Sequence, residues 1–378
     1  MRFSRTTFAL ALLVFATVSA SAFAESLQAS TNKSYRIETL ADNLPHPWSL
    51  DFLPDGNFIV AMRSGELHII GESGKTSRKI TGLPTTYFAG QGGFFDVLLD
   101  RNFKRNQKLY LSYAAGNKKA NRTTVASARL SGDTLLDVKK IFEVTPSKNT
   151  SAHYGGRLLQ LADNSLLLTT GDGFQFREAA QDRFSQLGKV VRFNHDGSLP
   201  SDNPFASGEN GDPAIWTLGH RNPQGLAIDS LTGNVYLHEH GPKGGDEVNL
   251  LLRGHNYGWP AVTHGINYSG ALISPFTSAP GMQDPKHVWV PSIAPSGLAI
   301  YRGNAFPKWQ GNFFVGALVD KEVRMLSPNE ESSWTEQALF SELNQRIRDV
   351  REGPDGFIYL LTDSEVGALM RVLPVAAK

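Results

Sequence analysis

No cysteine occurs among the 378 residues, so no disulfide can restrain the unfolded chain. Stability has to come from packing, and a chain of this length buries roughly 75% of its unfolded surface, which suffices without covalent staples. An excess of either charge is also missing. Lysine plus arginine number 37 against 36 aspartates plus glutamates, and the only basic cluster is Lys118-Lys119 with Arg122, read as a solvated loop. That balance argues against a nucleic-acid partner. No uncharged apolar run reaches the roughly 18 residues of a membrane span, which argues against stable membrane insertion. The apolar run from Phe8 to Val18, preceded by Arg2 and Arg5 and followed by Ala22-Phe23-Ala24, reads instead as a secretory signal over residues 1–24. The mature chain is expected to begin near Glu25 as an exported protein, periplasmic or secreted.

Glycines number 36 and prolines 20, spread between short apolar runs, the pattern of many turns between strands. One unit recurs: a short apolar strand, a Pro-Asp-Gly turn, a second apolar strand. It is clearest from Ser49 to Val60 and from Asp349 to Leu360, with looser copies at Phe95 to Tyr113, Gly156 to Thr169, Gly225 to Leu237 and Gly297 to Val315. Gly-Leu-Ala-Ile stands identically at 225–228 and 297–300. Leu50, Val97, Leu159, Leu226, Leu298 and Val350 are equivalent points, separated by unequal steps that fit blades with loops of different length. The expectation is an all-β protein, a single six-bladed β-propeller of four-stranded antiparallel blades over residues 25–378. The segment near Tyr35 to Leu40 is expected to complete the last sheet and close the ring with both chain ends.

Chemistry-bearing residues cluster just before these repeats. His153 precedes the glycine pair of Gly155-Gly156-Arg157, where a strand beginning near the propeller axis would hold its imidazole rigidly as a general base; a packed, hydrogen-bonded side chain is the alternative. Arg221-Asn222 stands before Pro223, and a guanidinium there can polarise a carbonyl without exchanging protons or can serve as a loop ion pair. Arg346 and Arg348 alternate with Ile347, so both face one way and need an anion between them, either a ligand carboxylate or Asp349 and Glu342. Gly241 and Pro242 offer consecutive carbonyls suited to a hard cation such as calcium, and Glu247 with the Tyr257 carbonyl offers a second such site; each also fits plain loop structure. His238 and His240 lack a visible third ligand for zinc and are read as strand packing.

Taken in order, Gly90-Gln91-Gly92-Gly93, His153-x-Gly-Gly-Arg157, Gly219-His-Arg-Asn-Pro-Gln-Gly225, Gly241-Pro242, Asn256-Tyr-Gly-Trp-Pro260 and Arg346-x-Arg348 resemble the soluble pyrroloquinoline quinone (PQQ) dependent sugar dehydrogenases, most closely the aldose sugar dehydrogenase branch. The resemblance runs from Trp48 to about Asp363. It implies a quinone in a cleft at one end of the propeller axis, with His153 as the base, Arg221 polarising the quinone oxygen, and Gln91 and Asn222 as polar cofactor contacts. Arg346 and Arg348 would face the anionic edge. The carbonyls of Gly241 and Pro242 would hold the cofactor's calcium, and Glu247 and Tyr257 a structural one. Two positions depart from the glucose-oxidising branch. Ala152 replaces the acidic residue before the base, so another group must orient the imidazole. Val319, near Lys321, replaces a lysine set against the cofactor.

The leading expectation is therefore PQQ- and calcium-dependent oxidation of aldoses at the anomeric hydroxyl to lactones, with electrons passed to an external acceptor, by a monomer or homodimer. A noncatalytic propeller binding a glycan or partner protein is one alternative. A calcium-dependent propeller hydrolase is another, disfavoured because the channel candidates are His, Arg and Gln rather than Asp, Asn and Glu.

Overall fold

The computed structural model describes residues 34–329 and 334–375. The expected leader, residues 1–24, lies outside the described residues. Among the described residues, twenty-four strands form six four-stranded antiparallel sheets, and helix is confined to single turns such as Phe103–Asn106 and Arg177–Ala180.

The first strand, β1 (Tyr35–Leu44), is set aside for the end of the ring. Blade one is β2 (Pro47–Phe52), β3 (Phe58–Met62), β4 (Glu66–Ile70) and β5 (Ser77–Lys79); blade two is β6 (Phe94–Leu99), β7 (Lys108–Gly116), β8 (Asn121–Ser131) and β9 (Thr134–Glu143). Blade three is β10 (Leu158–Gln160), β11 (Leu166–Thr169), β12 (Lys189–Phe193) and β13 (Ile215–Leu218); blade four is β14 (Pro223–Ile228), β15 (Val235–Glu239), β16 (Asp246–Leu251) and β17 (His287–Trp289). Blade five is β18 (Pro295–Ile300), β19 (Phe313–Ala317), β20 (Val323–Ser327) and β21 (Thr335–Leu339). Blade six joins β22 (Ile347–Glu352), β23 (Ile358–Thr362) and β24 (Gly367–Pro374) to β1, so the two ends of the described chain close the ring in one sheet. Closure removes long free edges.

All six repeat points lie on the first strand of a blade, and each is paired across its own hairpin, as in Leu50 with Val60 and Val350 with Leu360. The Pro-Asp-Gly turns work by backbone chemistry. Gly56 and Gly356 take φ of +87° and +77°, which only glycine adopts freely, while the Asp55 and Asp355 carboxylates accept the amide hydrogens of Asn57 and Phe357. Between blades the core is apolar, as where Phe142 stacks on Phe193 with ring centroids 4.4 Å apart.

The first strands touch one another around the axis, and five of the six carry a register shift near their beginning: at Pro47/Ser49, Phe94/Val97, Pro223/Gly225, Ser296/Leu298 and Ile347/Asp349. A bulge bends the strand and re-aims a side chain. The residues caught in these shifts include Trp48, Phe95, Gln224 and Arg348, and all four line one cavity at that end of the molecule.

Candidate active site

That cavity is about 420 Å³, and its wall includes Gln91, Asn222, His240, Arg346, Arg348 and Asp363. Four of the expected cofactor contacts therefore share one space. His153 and Arg221 do not line this cavity: both are almost fully buried, each bonded to a residue that does. The His153 amide donates to Gln91 Oε1 at 2.8 Å, and the Arg221 guanidinium donates to the carbonyls of His240 at 3.0 Å and Gly241 at 2.5 Å, so the expected calcium ligand Gly241 is bonded to Arg221 in this structure. Arg221 itself lines two neighbouring cavities, one with Phe174, Trp259 and Tyr268, the other with Glu247 and Tyr257.

His153 sits in a conformation that its sequence neighbours force. Its own φ is +50°, the left-handed region that costs a non-glycine residue strain. Gly155 follows at φ +65°, and a Cβ there would stand 2.5 Å from the Thr169 carbonyl oxygen; one on Gly156 would meet the Phe95 ring at 2.8 Å. The glycine pair is thus what lets the loop turn tightly into β10. Three further non-glycine residues near the cavities, His46, Phe174 and Ala294, also have positive φ.

The group that orients the imidazole is Asp172. His153 Nδ1 and Asp172 Oδ1 are 2.6 Å apart, while the other carboxylate oxygen accepts from Trp259 Nε1 at 2.8 Å. An ionised carboxylate only accepts, so Nδ1 carries the proton and Nε2 keeps its lone pair. Burial pushes the His153 imidazole below its usual range; Asp172 opposes, and Arg221 and Lys148 reinforce the fall. Burial alone would raise the Asp172 carboxyl, but the hydrogen bond and charge of His153, with Arg221 and the Phe174 amide, bring it below the usual carboxylate value. The pair therefore rests as neutral imidazole and carboxylate. Reading the sequence around Ala152 left the orienting group open because Asp172 lies in the next loop, in Gly171-Asp172-Gly173; its signal is an acidic residue between two glycines.

Arg346 and Arg348 share an anion, but it is Asp363, not the expected Asp349 or Glu342. Arg346 Nη2 and Arg348 Nη2 stand 2.8 and 3.0 Å from Asp363 Oδ2. Asp349 is taken by Arg157 and Arg351, because the register shift at Ile347/Asp349 sends it toward the axis. Val319 does not face the cavity: it is exposed, and Leu318 lines the wall in its place. The additional cation is Arg63, from the end of blade one's second strand, which sequence reasoning missed for want of any motif. Arg63, Arg346 and Arg348 against Asp363 leave the cavity basic, the donor set that carboxylate groups of a ligand require.

The candidate metal donors also have a definite setting. Asp246 accepts the amide hydrogens of Gly241 and Ala294, both at 2.8 Å, pinning the Gly241-Pro242 turn. A Cβ on Gly241 would come within 2.3 Å of the Gly244 and Gly245 carbonyl oxygens, so the turn admits only glycine. Glu247 and Tyr257 line a small cavity of about 20 Å³ together with Glu239, space for one ion or water. Burial first, and Glu239 next, push the Glu247 carboxyl up to about 8, a repulsion that a cation between the two would relieve. Among the described residues no cluster of three or more His, Asp or Glu side chains could hold a metal, so any ion here depends on backbone carbonyls as well. His238 and His240 each bond a carbonyl of blade five, Gly297 and Pro295, both at 2.8 Å.

Fold and site together define a six-bladed propeller that gathers an oriented neutral imidazole, several guanidinium groups and paired carbonyls at one end of its axis. The chain belongs to the Glucose / Sorbosone dehydrogenase family, whose model matches residues 44–371. It is 40% identical over 344 residues to the aldose sugar dehydrogenase YliI of Escherichia coli strain K12, covering 89% of this chain and 92% of that one. It is 26% identical over 417 residues to quinoprotein glucose dehydrogenase B of Acinetobacter calcoaceticus, with 88% and 86% covered. The apo crystal structure of the soluble aldose sugar dehydrogenase from Escherichia coli superposes with a TM-score of 0.86 at 39% identity, over 90% of this chain and all of that one.

Proposed function

We propose that this sugar dehydrogenase oxidises aldoses at the anomeric hydroxyl to lactones, using PQQ and calcium and passing the electrons to an external acceptor. The observation that carries the reading is the His153–Asp172 pair, 2.6 Å apart, beside a basic cavity of about 420 Å³. The donor set fits a carboxylate-bearing quinone: Arg63, Arg346 and Arg348 would meet its charge, and Gln91 and Asn222 its polar atoms. The Gly241 and Pro242 carbonyls would hold a calcium against it, and Glu247 with Tyr257 a structural one. When bound, the quinone supplies the hydride acceptor and calcium raises its electrophilicity.

The chain's own part is proton transfer and positioning. His153 Nε2 takes the proton of the anomeric hydroxyl as the hydride leaves the same carbon. Asp172 holds Nδ1–H and stabilises the imidazolium that results. Arg221 stays protonated and opposes negative charge developing on a nearby oxygen. The leader over residues 1–24 would export the protein, which N-terminal sequencing of periplasmic material checks.

Purified apoprotein is expected to reduce a dye in the presence of aldoses only when PQQ and calcium are both added. No gain across a broad aldose panel would reject the activity. His153→Ala should lower turnover of the loaded enzyme by at least about 10²-fold, and unchanged turnover would mean that the base lies elsewhere.

A further inference from the structure

Behind the loop that carries His153 lies a buried cation with no part in the reaction above. Lys148 precedes that loop and is almost fully buried. Its ammonium donates to the Thr150 carbonyl at 2.8 Å and to Asn121 Oδ1 at 3.3 Å, and stands 3.3 Å from the centroid of the Tyr154 ring. No carboxylate among the described residues bonds it. Thr150 reaches onward, its hydroxyl donating to the Gly173 carbonyl at 2.7 Å, next to Asp172. Tyr154 closes the other side, its hydroxyl donating to the same Asn121 Oδ1 at 2.6 Å. One amine thus ties together the start of β8, the base loop and the loop of the orienting carboxylate.

We propose that Lys148 is a positioning residue for the base, a buried ammonium packed behind its loop whose charge discourages a second proton on His153. A buried ammonium without a paired carboxylate is costly, and here it is held by a carbonyl, an amide oxygen and an aromatic face, all of which favour the charged form. Asp172 is the acidic group that it senses. Because Asp172 is not in contact with it, the carboxylate keeps both oxygens for His153, Phe174 and Trp259.

The charged groups that act on the imidazole are Asp172, which favours its protonation, and Arg221 and Lys148, which oppose it, and His153 in turn acts on His240. Burial lowers Lys148 to about 7, with Asp172 opposing. Lys148 is therefore charged over the acidic range in which His153 would take up a second proton, and its field acts where the base needs it.

The inference rests on His153 as the base, so its test is read first without quinone or sugar. In the apoprotein, the imidazole titration of His153 is followed by NMR and assigned by its loss in His153→Gln. Lys148→Met should move that titration up by roughly 0.5–1 unit, and Lys148→Arg should leave it near its original place. In the loaded enzyme the acidic limb of the turnover profile should move by the same amount. Should Lys148→Met fold poorly, the absence of cysteine gives a second route. Lys148→Cys is unfolded, alkylated either with 2-bromoethylamine, which restores an ammonium, or with 1-iodopropane, which does not, and refolded. An unmoved titration in Lys148→Met, or the same value in both alkylated forms, overturns the proposal, whatever the dye assay shows.

Discussion

At the scale of single residues, the chemistry depends on which nitrogen of His153 carries the proton. Asp172 settles it, and the same carboxylate also takes the Trp259 indole and the Phe174 amide. Asp172→Asn keeps the shape but offers one acceptor oxygen in place of two, so one of these donors faces an amide NH₂. We expect turnover to fall on the order of 10²–10⁴-fold while the circular dichroism of the fold stays unchanged, with dye reduction as the measurement. A variant with near-normal turnover would show that packing alone orients the ring. His153 was legible in the sequence from the glycines that follow it, whose positive φ values mark a forced turn. Asp172 was not, because 19 residues and a blade hairpin separate it from the histidine.

At the scale of elements, the strand beginnings do two jobs, packing the axis and presenting side chains to the cavity. The bulges were not visible in the alternation of apolar residues, since a register shift leaves the composition of a strand unchanged. Arg346 and Arg348 do lie together, on Asp363, while Asp349, which the sequence offers with Glu342 as the alternative to a ligand carboxylate, serves the axis. His238, on β15, joins blades four and five through the Gly297 carbonyl, and a Cβ on Gly225 would lie 2.1 Å from its Nε2. Burial, partly offset by that bond, lowers its imidazole from 6.5 to about 3. The unfolded chain binds this proton below 6.5 and the folded chain does not, so the stability tied to neutral His238 is full above 6.5 and is lost as pH falls toward 3. Relative to His238→Gln, the wild-type protein should lose about 1.4 kcal/mol of stability per pH unit on acidification through this window. Thermal or denaturant unfolding of both proteins at several pH values checks this; a constant difference would mean that His238 is protonated in the fold.

At the scale of the whole molecule, the ring is tied both at its perimeter and at its axis. The perimeter closes through β1 on β24, which the sequence foreshadowed in the short final repeat and the Tyr35 to Leu40 segment. The axis is tied by Arg157, fully buried, whose Nη1 lies 3.0 Å from Asp349 of blade six and 3.8 Å from Asp96 of blade two. Its Nε donates to the Gln224 carbonyl of blade four at 2.8 Å, and its guanidinium carbon stands 4.1 Å from the centroid of the Trp48 ring of blade one. Removing this one charge leaves two buried carboxylates sharing Arg351 alone. Arg157→Met should cost about 3–5 kcal/mol of unfolding free energy, read from chemical denaturation. A loss below about 1 kcal/mol would show the network to be relaxed by water.

The sequence by itself determined the number of blades, the position of each first strand and the pairing of the two ends of the described chain, because turn residues and apolar periodicity act locally and repeat. It also marked His153, Arg221, Asn222 and Gln91, since each stands in or beside a glycine- or proline-bounded turn, and Arg346 with Arg348, since the two alternate with Ile347 at the start of a blade. Only the tertiary structure decided who meets whom. Asp172 reaches His153, Asp363 bridges two arginines, Arg63 lines the cavity that Val319 does not, and Arg157 spans four other blades. Those partnerships arise from radial closure, which brings strand beginnings from distant parts of the chain to one axis, and distance along a chain carries no record of closeness across a ring.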